Sequence, residues 1–358
     1  MSDRKLASIQ RIVNIQPIEN ADSLELATVL GWHCVVKKEE FKVGDLVVYI
    51  EPDSILPARP EFEFLRPRKF RIKTIKLRGQ VSQGLVMSLL ILPEGRYKRS
   101  LEGTDVTEIL DIKKYDPQAE QERIETSGER KSWLEKFLLR FSWYRRLFPK
   151  TSGSFPSWIK KTDEERIQNL SGYLEEFRHF FFSVSEKLDG QSATFFLKKV
   201  RNRKYEFGVC SKNLRVSRQS RGSYWKVAEQ LGIENVLRSM IELHDSIVFQ
   251  GEIVGTGIQK NKYNLSGYAF YLYNIIIDGA RIDPMNKIVF LNAFGIKTVP
   301  ILETDFLLPE TIDACVELSN GESVVNPNIL REGLVFRNYE TNISFKVINP
   351  YFLLKNDE

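Results

Sequence analysis

The sequence predicts an α+β protein in two parts: a small N-terminal β-barrel, then a larger domain of antiparallel strands and helices. Two observations carry this expectation. Residues 1–115 hold short β-rich runs of even spacing divided by turns, and from Lys161 onward strand-like runs alternate with helical ones. The length of 358 residues also exceeds what one hydrophobic core usually fills, so two domains are expected.

In the first part, Ile12-Val13-Asn14-Ile15, Glu25-Leu26-Ala27-Thr28-Val29 and His33-Cys34-Val35-Val36 are β-rich. Val43-Gly44-Asp45 makes a turn before a strand at Leu46–Ile50, and Gly84–Leu89 reads as a further strand. Basic and apolar residues alternate through Arg71-Ile72-Lys73-Thr74-Ile75-Lys76, which gives a strand one cationic face and one that can be buried.

Residues 116–160 change character. Pro117 to Arg130 is polar, as a linker would be; Trp133, Leu134, Phe137, Leu138, Phe141 and Tyr144 then recur at helical spacing among Lys136, Arg140, Arg145 and Arg146. A basic amphipathic helix at 133–148 can lie on a membrane surface or along RNA; more often such a helix packs between domains. Thr162-Asp163-Glu164-Glu165 has the composition of a helix start. Helices are expected at 223–242 and 309–319, and strands around 182–187, 193–200, 205–210, 246–254, 268–277, 333–337 and 343–348. The expected division is 1–115, 116–160 and 161–358.

A hydrophobic fraction of 42% and a charged fraction of 28% describe an ordinary globular chain. No run approaches the ~20 apolar residues of a membrane helix. The opening MSDRKLASIQ lacks the apolar stretch of a signal peptide, so a cytoplasmic address is expected. Cys34, Cys210 and Cys315 are odd in number and far apart, which argues against disulfides. His33, His179 and His244 are equally scattered, so any metal should be held by oxygens. The net charge of +5 is mild, but Arg66 to Gln80 carries seven Lys or Arg and no acid, and 198–221 carries nine against one glutamate. Either cluster alone reads as solvated surface.

The chemistry centres on Val184-Ser185-Glu186-Lys187-Leu188-Asp189-Gly190, a strand ending in a lysine followed at once by an acid and a glycine. An amine nucleophile must lose its proton, which an unperturbed lysine holds to pH ~10.4. Burial and neighbouring cations are expected to depress that value for Lys187. Alone, Lys-x-Asp-Gly arises by chance in roughly one chain in ten of this length. Four further segments follow it: Phe249-Gln250-Gly251-Glu252-Ile253-Val254-Gly255, Tyr268-Ala269-Phe270-Tyr271, Arg331-Glu332-Gly333-Leu334-Val335-Phe336 and Ser344-Phe345-Lys346-Val347-Ile348. Gly251, Gly255 and Gly257 read as turn glycines, because no Gly-Lys-Ser/Thr follows to make a phosphate loop.

These five segments, in this order, resemble the motifs of the covalent nucleotidyltransferases, the superfamily of DNA ligases, RNA ligases and capping enzymes. Residues 20–57 resemble the oligonucleotide-binding (OB) barrels found beside RNA-processing enzymes. A barrel placed ahead of the transferase domain is similar to the ATP-dependent, nick-sealing RNA ligases of the Deinococcus type. The resemblance implies an OB-like barrel followed by a ligase domain of ATP-grasp-like antiparallel sheets plus helices. It implies a three-step reaction: Lys187 takes AMP from ATP, the AMP passes to an RNA 5′-phosphate, and a 3′-hydroxyl displaces it.

The resemblance also implies the site. Lys187 is the nucleophile; Arg166, Glu186, Asp189, Lys212, Asn213, Phe270, Glu332 and Lys346 bind ATP with it. Within that set Arg166 grips the β-phosphate, Lys346 contacts the α-phosphate, Glu186 reads the adenine edge, Phe270 stacks on its face, and Lys212 and Asn213 lie near the ribose. Glu252 and Glu332 hold Mg2+ or Mn2+. Arg71, Lys73, Lys76 and Arg78 are expected to grip RNA, and no obligate protein partner is implied. Ile348 stands where the resemblance leads to a second lysine, with Lys355 as the nearest substitute. Three alternatives stay open: DNA nick sealing, GTP-dependent capping, and an inactive RNA-binding protein with no covalent adenylate.

Overall fold

The computed structural model describes residues 4–93, 101–116, 140, 152–170, 172–200, 204–218 and 222–356. The helix expected at 133–148 lies outside these, Arg140 excepted.

Five antiparallel strands form the N-terminal sheet, in the order Trp32–Lys37, Leu24–Val29, Ala7–Pro17, Leu46–Ile50, Leu85–Ser88. The long strand Ala7–Pro17 makes so small a sheet curl. Ala7 to Arg11 pairs with Leu46–Ile50, and the rest pairs with Leu24–Val29 across a register shift between Ile12 and Asn14. A bulge of this kind bends the strand and raises its twist. Ile9, Val48, Ile50, Phe62 and Leu110 fill one apolar cluster, and Ile12, Ala27, Trp32 and Tyr49 another. The cationic run is shorter as a strand than its alternation suggests: only Thr74–Leu77 is β, hairpinned to Gln80–Gln83.

The larger part holds two sheets. The first runs Ser152–Ser154, Leu214–Val216, Lys204–Cys210, Gln191–Val200, Ser246–Gly255, Tyr268–Ile277, Ala280–Ile282, with Lys297–Thr298 parallel to Tyr268–Ile277. The second runs Glu165–Arg166, Ile343–Ile348, Gly333–Asn338, Phe181–Lys187, Ile301–Leu307. Each buries its outer face under helices. Phe195, Leu197, Phe249 and Phe270 pack on Val227, Val236 and Leu237 of the helices Ser223–Gln230 and Ile233–Met240. Phe182, Val184, Phe336 and Phe345 pack with Cys315 of the helix Ile312–Leu318. On its other face the first sheet carries Tyr271, which packs in a small cluster with Leu188 and Val299, and Glu252 beside it.

Two expectations change. The helix at 223–242 is two helices, because Gly232 takes a left-handed φ of 56° between them. Thr162-Asp163-Glu164-Glu165 is no helix start; Glu165–Arg166 is a short strand parallel to Ile343–Ile348. Its acids serve as counter-ions instead: Asp163 pairs with Lys346 at 3.1 Å and with Lys114 at 2.6 Å, and Glu164 accepts from Ser344 at 2.5 Å. Among the described residues no helix is long and apolar enough to cross a membrane. Cys34, Cys210 and Cys315 are free and buried.

Candidate active site

Lys187 ends the strand Phe181–Lys187, opposite Gly333 of the neighbouring strand. A Cβ at 333 would stand 2.2 Å from the Val347 carbonyl oxygen, so only glycine lets the strand Ile343–Ile348 come this close. Glu332, one residue earlier, hangs beside the lysine, and Lys187 Nζ donates to its Oε2 at 2.6 Å. From the other sheet comes Glu252, paired across the strands with Ser192 and with Tyr271. Lys346 pairs with Val335 and with Arg166. Two sheets thus converge two lysines and two glutamates.

Their electrostatics run against one expectation. Burial works to lower the Lys187 amine, but the carboxylates of Glu332 and Glu252 override it and raise it to about 12. Burial pushes Glu252 up to about 8 against the pull of Lys187. Glu332 is likewise raised, by burial, with Lys187 opposing. Burial pulls Lys346 down to about 8, although Asp163 opposes it. Burial would raise Asp163, yet the ammonium groups of Lys346 and Lys114 hold its carboxyl well below the usual range. The depressed lysine near the centre is therefore Lys346 and not Lys187.

Phe270 is the clearest correction. It is 2% exposed, lies edge-on to Phe195 in the helix-packed core, and covers Gly251, where a Cβ would meet its ring at 2.3 Å. Gly251 is thus a strand residue making room for a ring, not a turn glycine. Tyr271 points the other way, into a small cluster with Leu188 and Val299, and burial together with the Glu186 charge raises its hydroxyl. Glu186 accepts from the Val324 backbone N–H at 2.8 Å through Oε2, while its buried Oε1 has no hydrogen-bond partner.

Arg166 lies beside Lys346, its partner across the strands, and its charge helps to lower the Lys346 amine. Its Nη2 donates to Asp53 of the barrel at 3.0 Å, its guanidinium lies 5.4 Å from the centroid of Trp32, and its Nε and Nη1 are buried without partners. Arg71 is committed to Asp53 too, at 3.1 Å, and stacks 3.7 Å over Tyr115. Its expected place on an RNA-facing surface is therefore taken by a structural role. Lys73 is half-buried, whereas Lys76 and Arg78 are exposed on the hairpin. Lys212 pairs with Asp116 at 3.4 Å, and its charge is felt at Glu252; the Asn213 side chain accepts from Lys161 at 3.3 Å. Ile348 is 3% exposed and Lys355 is exposed. Sequence reasoning missed Lys262, whose ammonium pairs with the Asp189 carboxylate, and Tyr263, whose hydroxyl accepts from the Asp189 N–H at 2.8 Å.

Among the described residues no three His, Cys, Asp or Glu side chains gather closely enough to hold an ion alone. Glu252 and Glu332 fit a hard divalent cation as a pair of half-buried carboxylates, its other oxygens coming from phosphate or water.

An OB-fold domain model matches residues 6–89, and an RNA ligase model matches residues 181–348. No curated protein matches the chain in sequence. Among solved structures, Naegleria gruberi RNA ligase in an aspartate-to-alanine mutant, apo, is 33% identical, with a TM-score of 0.82, covering 100% of this chain and 99% of that one. The chain belongs to the RNA ligase family. A glutamate-to-alanine mutant of the same relative with ATP and Mn gives 33% and 0.82, over 99% of this ligase and 100% of that chain. The relative with PPi gives 33% and 0.81, over 99% of each. The matched stretch begins at the strand carrying Lys187 and ends at Ile348, so it encloses Lys187, Glu252, Glu332 and Lys346. The barrel match encloses all five strands of the N-terminal sheet.

Proposed function

We propose that this ligase uses ATP and a divalent cation to seal nicks in duplex RNA through a covalent lysyl–AMP on Lys187. The observation that carries the reading is the convergence of Lys187 with Glu332 at 2.6 Å, beside Glu252. The relatives with ATP and Mn support the choice of nucleotide and metal.

In the first step the neutral Lys187 nitrogen attacks the α-phosphorus of ATP. A P–N bond forms, the P–O bond to pyrophosphate breaks, and pyrophosphate leaves with the electron pair. Glu332 Oε2 is the nearest acceptor for the departing lysine proton. A bound Mg2+ or Mn2+ supplies positive charge to the phosphate oxygens, and Glu252 and Glu332 are the carboxylates that would hold it. Lys346 faces the same phosphate as an ammonium. Glu186 Oε1, buried and unpartnered, is matched to a donor such as the adenine amino group, with Tyr271 in place of Phe270 as the ring at the base. The AMP then moves to an RNA 5′-phosphate, and a 3′-hydroxyl displaces it to make the phosphodiester.

The assignment of 1–115 to RNA and 161–358 to adenylylation goes with this reading. So does the placement of the hairpin carrying Lys76 and Arg78, which lies against the helix Pro350–Asn356 of the ligase domain. Joining assays on an RNA nick, a DNA nick and the same RNA strands unannealed test it. Efficient joining at the RNA nick alone is expected. Equal joining of unannealed strands would rule out nick sealing.

A further inference from the structure

A loop that carries none of the five motifs closes on the turn after the nucleophile. It leaves the strand Ser246–Gly255 and returns to Tyr268–Ile277. Its base is pinched shut: Gly255 has a φ of 124°, and a Cβ there would stand 1.9 Å from the Gly267 carbonyl oxygen. The Asn261 side chain clasps it from inside, donating to the Leu265 carbonyl at 2.9 Å and accepting from the Leu265 N–H at 3.1 Å. Gln259, Lys260 and Asn261 are three successive non-glycine residues in the left-handed region. Backbone of that kind persists only where the surroundings over-determine it, and it clusters at functional sites.

The strained segment delivers Lys262 and Tyr263. Lys262 pairs through its ammonium with the Asp189 carboxylate, and its charge reaches Glu332 as well. The same ammonium lies 4.6 Å from the centroid of Phe352, and the Lys262 carbonyl accepts from Asn326 Nδ2 at 3.1 Å. Asn326 belongs to the loop whose Val324 N–H binds Glu186. Tyr263 Oη takes the Asp189 N–H, and its ring packs on Leu188. Residues 188 and 189 are thereby held from three sides, immediately after Lys187. The charge count agrees: Asp189, Glu252 and Glu332 place three carboxylates around Lys187, and Lys262 is a second amine set against them.

We infer that Lys262 is a positioning residue for adenylylation: by gripping the Asp189 carboxylate it fixes the turn that aims the Lys187 amine. The inference rests on the reading of Lys187 as nucleophile. A misplacement of about 1 Å can cost on the order of 100-fold in rate, so the effect belongs in the rate of the chemical step and not in nucleotide affinity.

The test is single-turnover adenylylation of the full chain with α-labelled ATP and manganese, across ATP concentration. Lys262→Met should slow the rate at saturating ATP by on the order of 100-fold and leave the half-saturating ATP concentration nearly unchanged. Lys262→Arg, which keeps the charge on Asp189, should recover most of the rate. Because Lys262 acts through Asp189, Lys262→Met should add little to Asp189→Asn, as coupled residues are non-additive. Thermal melts of each variant identify simple unfolding, and Lys262→Arg keeps the question open to decision if Lys262→Met unfolds. A change in half-saturating ATP alone, a Lys262→Arg variant as slow as Lys262→Met, or fully additive losses in the double variant would each overturn the inference. Absence of label from the parent chain would overturn the lysyl–AMP reading as well.

Discussion

On the proposed reading Lys187 must shed a proton before its nitrogen attacks phosphorus, and its neighbours hold that proton on. The carboxylates of Glu332 and Glu252 carry the amine to about 12, and what relieves this is positive charge delivered to those carboxylates. The state of Glu252 is open to measurement. Its carboxyl is raised from 4.5 to about 8 by burial, so the folded chain keeps a proton there that the unfolded chain gives up. The stability tied to that proton is fully present below pH 4.5 and is lost as pH rises through about 8. In chelating buffer, Glu252→Gln should therefore melt higher than the parent at pH 8.5, with the gap closing toward pH 5. Melting curves across that range check it, and a constant gap would contradict it. At this scale the sequence was legible for Lys187, Glu252, Glu332 and Lys346, which each sit in a recognisable local pattern. Lys262 was not, because its partner Asp189 lies 73 residues earlier and its own loop carries no motif.

The strands set which of these side chains meet. Alternation along 268–277 tells that Phe270 and Tyr271 face opposite ways, but not which of them faces the core. The cross-strand register decides it: Tyr271 is the partner of Glu252, and Gly251 on the other face makes room for the Phe270 ring. Thr162 to Glu165 misled for a similar reason, since acids behind a hydroxyl look like a helix cap until their long-range cations, Lys346 and Arg337, are in place. Gly333 is an element-scale test. A Cβ there would press on the Val347 backbone at 2.2 Å, so Gly333→Ala should cost about 1–3 kcal/mol and displace Glu332 from Lys187. Denaturant unfolding and label transfer should fall together; an unaffected label would contradict the geometry. For the hairpin Thr74–Leu77 and Gln80–Gln83, replacing Lys76 and Arg78 should weaken RNA binding and make its salt slope shallower by about 2. Titrations at several salt concentrations measure that slope.

At the scale of the molecule, barrel and ligase sheet are joined by a polar seam. Asp53 accepts from Arg166, Glu51 from Asn169 at 2.7 Å, and Asn169 from the Trp32 indole at 2.7 Å; the Gly31 N–H reaches the Gln168 carbonyl at 2.9 Å. The two-part organisation was legible from composition, but this seam was not, because it joins residues more than a hundred positions apart. Arg166 is 5% exposed at its side chain, so Asp53→Ala strands a buried cation. Losing one partner of a buried pair costs about 3–5 kcal/mol, and equilibrium unfolding of the full chain should show a loss of that order. A loss below about 1 kcal/mol, the range of an exposed pair, would mean that the contact is solvent-screened.

The central claim is that Lys187 carries AMP during the reaction. The direct measurement is to incubate the chain with α-labelled ATP or GTP and manganese, denature it, and count label on the protein beside a Lys187→Ala variant. Label from ATP, absent with GTP and absent in the variant, is the expected result. Label surviving in Lys187→Ala, or none on a parent chain first freed of bound AMP with pyrophosphate, would contradict the account.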